Sequence, residues 1–309
     1  MMDRFGLTLL AMLFFGILPI KLHTQDLHVN NLLNTVSDRS YLQLMRGNIP
    51  SRNVNAVVER ATFMEAQIAP SFFIRFKEEG RFTLSITPKI ILRMGDNESF
   101  PIKAPSFMPI ITGFQQLKAD KLSTSKALKW LLKPQHRVFV IYRIGHHSNG
   151  QKDEFFVKGT RRINFSTGNF STEFVELGLQ WTDMTGGANG FSINGRLSFE
   201  QQIDLTREAD IKELYYDRRL LLENEFNFTP YLQLATKVDF MMGQGSRFEP
   251  KSSFQVSGEF KPARNYSDLS LFIRYYLGPD YYNIRYFSDQ DFIGFGIRAN
   301  PSGKNALAF

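Results

Sequence analysis

From about residue 72 to the C-terminus, apolar and polar residues alternate along most of the chain. In residues 231–241, Leu232, Leu234, Thr236, Val238 and Phe240 fall on one side, and Gln233, Lys237 and Asp239 on the other. Residues 191–199 set Phe191, Ile193, Leu197 and Phe199 against Ser192, Asn194, Arg196 and Ser198. The same division recurs over 254–261, 268–277 and 293–299. A period of two predicts β-strands, each with one apolar and one polar face. A soluble sandwich would alternate in the same way, so further features have to decide. The polar faces carry charge near mid-strand, at Arg143, Arg196, Lys237, Asp239, Glu259 and Arg274, as a hydrated lumen would allow. Connections also alternate in length. Those at 182–190, 229–230 and 261–266 are short, and those at 201–218, 243–252 and 278–290 are long. Short turns at one end and long loops at the other predict an all-β, transmembrane antiparallel β-barrel of the bacterial outer-membrane type.

Counting back from the C-terminus gives seven strands to residue 169 and an eighth over 137–148. Before that the pattern is less regular, with candidate strands at 72–77, 81–87 and 106–114 and a short helix within a connection at 115–134. Because such barrels close with an even number of strands, the expectation is twelve. Residues 71–309 are assigned to the barrel, and residues 25–70 to an N-terminal segment lying in the periplasm or the lumen.

Composition then explains an apparent conflict. The 309 residues are 43% hydrophobic and 14% aromatic, yet mean hydropathy is only -0.23. A barrel accounts for this, since half of each strand faces lipid and half faces water. The absence of cysteine excludes disulfides, thiolate metal sites and cysteine nucleophiles. One long apolar run, residues 5–20, follows Arg4 and contains Gly16 and Pro19. Its position and length predict a signal peptide over residues 1–24. The formal charge of +7 is modest and spread along the chain. No nucleic-acid partner is expected for an exported protein of this kind, and an anionic lipid surface suits the charge better.

The candidate chemistry lies at the end of strand 137–148. Val138, Val140, Tyr142, Ile144, His146 and Ser148 share the apolar face, which in a barrel faces lipid. Hydrocarbon is a costly place for a histidine and a serine. Two residues apart on one strand face, they lie roughly 7 Å apart. A His base beside a Ser hydroxyl is a nucleophile pair.

His146-His147-Ser148-Asn149-Gly150 resembles the H-x-S-N-G motif of the outer-membrane phospholipase A family. A weaker likeness runs through residues 271–299. The resemblance implies a twelve-stranded barrel that hydrolyses acyl esters of membrane phospholipids or lysophospholipids, with His146 as base and Ser148 as nucleophile. It implies an oxyanion site at the Gly150 N–H, helped by a calcium ion near Asp153, with Asp204 and Asp210 as further oxygen donors. It also implies an active homodimer formed through the lipid face. The family's third catalytic residue is an Asn on the following strand. Two positions compete for that role here: Asn164, whose Arg161-Arg162-Ile163-Asn164 context resembles the family's spelling, and Asn169, which shares parity with Val175, Leu177 and Leu179. Parity favours Asn169. A barrel without catalytic activity, porin-like or structural, is the alternative to the enzyme.

Overall fold

A computed structural model describes residues 38–48, 62–75, 82–95, 102–117, 136–183, 191–262 and 269–299, apart from 206, 208, 246, 247 and 287. The expected signal peptide and the body of the expected 115–134 helix lie outside the described residues. Thirteen strands are formed: β1 (Tyr41–Asn48), β2 (Thr62–Ile68), β3 (Phe72–Arg75), β4 (Phe82–Gly95), β5 (Ser106–Gln116), β6 (His136–Ser148) and β7 (Ser171–Asp183), followed by β8 (Ser192–Ile203), β9 (Arg218–Asn227), β10 (Leu232–Met242), β11 (Lys251–Phe260), β12 (Leu269–Pro279) and β13 (Asp289–Ala299). Consecutive strands pair antiparallel from β3 to β13, β13 pairs with β1, and β1 pairs with β2. Both β2 and β3 pair with β4. They are two halves of one wall strand, so the sheet closes as a twelve-stranded antiparallel barrel.

The early strands differ from the expectation. β1 and β2 are wall strands, so the barrel begins at residue 41 and the boundary at 71 falls within it. The reason is local. Pro70 interrupts the strand between β2 and β3, and proline cannot donate to a ladder. Pro88 likewise made β4 look as if it ended at Thr87, whereas it continues to Gly95 with Pro88 opposite Pro109.

Exposure is inverted relative to a soluble protein. Outward apolar side chains such as Ile144, Leu177, Ile273 and Phe295 are more than half exposed, while inward Arg93, Glu65, Glu200 and Gln43 are buried. Lipid would cover the first set, and closure satisfies the strand backbones within the wall. Inside, the charges pair across the lumen. Arg93 reaches Glu65 at 2.6 Å and Asp280 at 2.7 Å, and Arg298 reaches Glu259 at 2.6 Å. Just before β1, Arg39 contacts Glu225 and Glu259, and Asp38 contacts Lys89 and Arg143. These partners come from β4, β6, β9 and β11, so the chain entering β1 runs through the barrel. Charges buried at this depth persist only when paired. The lumen keeps a cavity of about 210 Å³ lined by charged groups that include Lys89, Arg143 and Arg274.

At one end lie the longer loops, among them 149–170, which joins β6 to β7, and 204–217, which carries helix α1 (Ala209–Leu214). Phe155, Phe170, Ile211, Tyr215, Ile284 and Tyr286 pack there into a buried apolar cluster. The motif ends β6 at this same rim.

Candidate active site

Alternation divides the motif between the two faces of the wall. His147 turns inward and is buried, its Nε2 2.6 Å from Ser106 Oγ and its ring edge-on to Phe170. His146 and Ser148 turn outward with Tyr142 and Ile144, and the His146 side chain is 38% exposed. Register fixes their neighbours. Ser148 lies between Phe107 on β5 and Ser171 on β7, and His146 lies opposite Glu173.

Glu173 is the residue that sequence reasoning missed. It shares the outward parity of Val175 and Leu177, yet its side chain is only 11% exposed because it is tucked against its neighbours. Its Oε1 lies 3.1 Å from His146 Nδ1. With Nδ1–H donating to the carboxylate, Nε2 is left as the basic nitrogen. No hydrogen bond joins His146 to Ser148 in this free geometry, and catalytic contacts of this kind often tighten only with substrate bound.

Neither asparagine candidate reaches the imidazole. Asn169 precedes β7, beyond the last β6–β7 pair of Ser148 with Ser171, and its N–H donates to Asp153 O at 2.8 Å. The Nδ1 partner of His146 is Glu173 instead. Asn164 is committed to its own turn, where Oδ1 accepts from the Thr167 N–H at 3.2 Å and Nδ2 donates to Thr167 Oγ1 at 3.0 Å. The missing signal was register. Parity showed which residues face lipid, but only pairing shows which of them stand opposite one another.

Asn149 has a structural role. It is 2% exposed. Its Oδ1 accepts from the Gln151 and Phe170 N–H groups, both at 3.1 Å, and its Nδ2 donates to Gly168 O at 2.8 Å. It therefore staples both ends of the loop behind Ser148. Gly150 follows with φ +67, a conformation that glycine adopts without steric cost. Phe107's ring lies 3.3 Å from where a Cβ at Gly150 would stand. The Gly150 N–H has no hydrogen-bond partner among the described residues.

The acidic residues do not gather. Asp153 is exposed, with its backbone paired to Thr167 and Asn169. Asp204 is bound to Arg207 at 2.8 Å and Lys212 at 3.0 Å. Slight burial works against its ionisation, but Lys212 and Arg207 outweigh that and hold it below the usual carboxylate range. Asp210 is exposed in the first turn of α1. Among the described residues no group of three His, Asp or Glu side chains could hold a metal. Calcium takes six to eight oxygen ligands, and the two adjacent exposed carboxylates of Asp153 and Glu154 do not by themselves meet that requirement.

Comparison with solved structures identifies the architecture. Outer-membrane phospholipase A from Escherichia coli superposes with a TM-score of 0.56 at 12% identity, covering 87% of this chain and 95% of that one. The fold is shared. The same enzyme with an active-site Asn→Ala substitution gives 0.57 at 13% identity, over 88% and 96% of the two chains. The Salmonella typhi outer-membrane phospholipase, a dimer with bound calcium, gives 0.57 at 12% identity over the same shares. No family model and no curated sequence matches the chain. The chain is thus a bacterial outer-membrane β-barrel with the architecture of these phospholipases.

Proposed function

We propose that the protein is a serine esterase that cleaves acyl esters of membrane phospholipids or lysophospholipids on the outward face of its barrel. The observation that carries this reading is the lipid-facing His146–Glu173 hydrogen bond, with Ser148 two residues along on the same face. A barrel serving only as scaffold or pore gains nothing from placing a carboxylate, an imidazole and a hydroxyl towards lipid, where each is costly. The ion pairs that fill the lumen also favour a wall that works from outside over a wide channel.

In this reading Ser148 Oγ attacks the ester carbonyl carbon while His146 Nε2 takes the hydroxyl proton. Collapse of the tetrahedral species expels the glycerol-side alkoxide, which recovers that proton from the imidazolium. Water activated by His146 then releases the fatty acid from Ser148 by the same path in reverse. Glu173 holds the imidazole in its productive tautomer and offsets its positive charge, as a carboxylate does in soluble hydrolases. The unpartnered Gly150 N–H donates to the oxyanion. Calcium is given no step, because Asp153 and Glu154 have no third acidic or histidine side chain beside them among the described residues. The acyl chain would lie along Ile111, Tyr142, Ile144 and Leu177. The Salmonella typhi phospholipase is a dimer, and a second copy of this chain packed on that face would enclose the acyl chain.

The test is fatty-acid release from phospholipid in mixed micelles by the full chain refolded in detergent. Ser148→Ala should lower the rate by about 10³-fold or more. Equal rates in the two proteins would overturn the esterase reading.

A further inference from the structure

Beyond Ser148 the chain builds a rigid projection. Phe156 bridges Ile163 across a short hairpin. The Val157 N–H donates to Arg162 O at 2.8 Å, and the Thr160 N–H to Val157 O at 2.9 Å. Thr160 Oγ1 donates to Val157 O at 2.8 Å and accepts from the Arg162 N–H at 3.2 Å. Gly159 turns the tip with φ +72. At the base, Phe155 is buried in the apolar cluster of the rim, with Phe156, Ile163 and Phe165 packed against it. Through Asn149 the whole loop is tied to the residue that follows the nucleophile.

The tip carries Lys158, Arg161 and Arg162, all exposed. None of them makes an ion pair among the described residues. The neighbouring loop is different: Asp204 and Asp217 hold Arg207, Asp204 also holds Lys212, and Arg218 donates to Gln201. In the lumen, Arg93, Arg143, Arg196 and Arg298 are paired as well. Three exposed cations are thus gathered without a counter-charge on one ordered turn, at the rim where the lipid-facing site lies. Guanidinium and ammonium groups at a lipid surface bind phosphate oxygens, arginine in bidentate fashion, and anionic headgroups attract such clusters.

The geometry points to the Lys158-Gly159-Thr160-Arg161-Arg162 tip as a docking site for the phosphate-bearing headgroups of anionic glycerophospholipids, seating those lipids beside Ser148. As a statement about substrate class it rests on the esterase reading, but its test requires no turnover. Ser148→Ala protein is reconstituted in phosphatidylcholine bilayers, and the motionally restricted fraction of chain-labelled phosphatidylglycerol is compared with that of phosphatidylcholine. The parent should favour the anionic lipid about threefold or more. Arg161→Gln/Arg162→Gln should bring the ratio close to one, while the charge-matched Lys212→Gln/Arg218→Gln should leave it near the parent value. Retained heat-modifiable mobility in gels shows that each variant still forms a barrel. No initial preference, or an equal fall in both double variants, would overturn the proposal. Failure of the Ser148→Ala activity test would leave this lipid preference standing, so the two readings fail separately.

Discussion

His146 and His147 are neighbours in sequence on opposite sides of the barrel wall, and each has a serine at hand. The inward pair has the tighter geometry, with His147 Nε2 2.6 Å from Ser106 Oγ, but Ser106 is fully buried and Phe170 packs on the ring. The outward pair is looser. His146 is partly exposed, is held from behind by Glu173, and has Ser148 on the same face without a bond. A short hydrogen bond therefore does not mark a nucleophile. A substrate must reach the hydroxyl, and the base needs a partner on its far nitrogen. The inward pair satisfies two buried polar groups and closes the wall, whereas the outward pair is left accessible from the lipid side.

The largest effects should separate these two pairs. His146→Ala should lower fatty-acid release by about 10³-fold or more, whereas His147→Asn should stay within about threefold of the parent. Stability should respond in the opposite sense. Ser106→Ala strips a buried imidazole of its partner and should cost about 1–3 kcal/mol, read as a lower urea midpoint, while Ser148→Ala should leave the midpoint nearly unchanged. A folded His147→Asn protein as inactive as His146→Ala would reverse the assignment of the two faces.

A smaller effect should divide the candidates for the residue behind His146. Glu173→Ala should lower kcat by about 10²-fold with little change in KM, because orientation and charge compensation of the imidazole are lost together. Glu173→Gln should recover part of that loss, since its amide oxygen can accept the Nδ1–H but carries no charge. Asn169→Ala, beyond the last β6–β7 pair, should remain within about threefold. If Asn169→Ala lost more than Glu173→Ala, the register between β6 and β7 would not be the working arrangement.

Residues 146, 148 and 173 also show how far sequence could go. Alternation alone put His146 and Ser148 on the lipid face, and the carboxylate of Glu173 was visible at the same parity as Val175. What the chain did not display is which residues face one another, because that depends on how many residues the loop from Asn149 to Phe170 takes up before β7 begins. Fold class followed from the same period of two, and the number twelve from an incomplete count taken to the even value that closure requires. The first strands were obscured where Pro70 and Pro88 break the ladder pattern, and β1 because it mixes inward Tyr41 and Met45 with outward Arg46. The inward-facing Glu65 and Gln67 of β2 looked like a polar segment because their partners, Arg93 and Tyr41 among them, come from elsewhere in the chain or across the strand.

The smallest expected effect concerns calcium, and it sharpens the contrast between this chain and the Salmonella phospholipase of like architecture. That dimer binds the ion. Here, among the described residues, the motif loop offers the adjacent exposed carboxylates Asp153 and Glu154 without a third acidic or histidine side chain beside them, and Asp204 is spent on Arg207 and Lys212. The same loop instead presents Lys158, Arg161 and Arg162, fixed cations that would repel a divalent ion while attracting phosphate. Removing calcium with a chelator should therefore change the rate of fatty-acid release by less than about twofold, and Asp153→Asn should behave like the parent at every calcium concentration. A loss of about tenfold that added calcium restored, and that Asp153→Asn reproduced, would show that donors outside the described residues or from a second barrel complete a site around Asp153. The cationic hairpin would then be an addition to calcium chemistry and not a substitute for it.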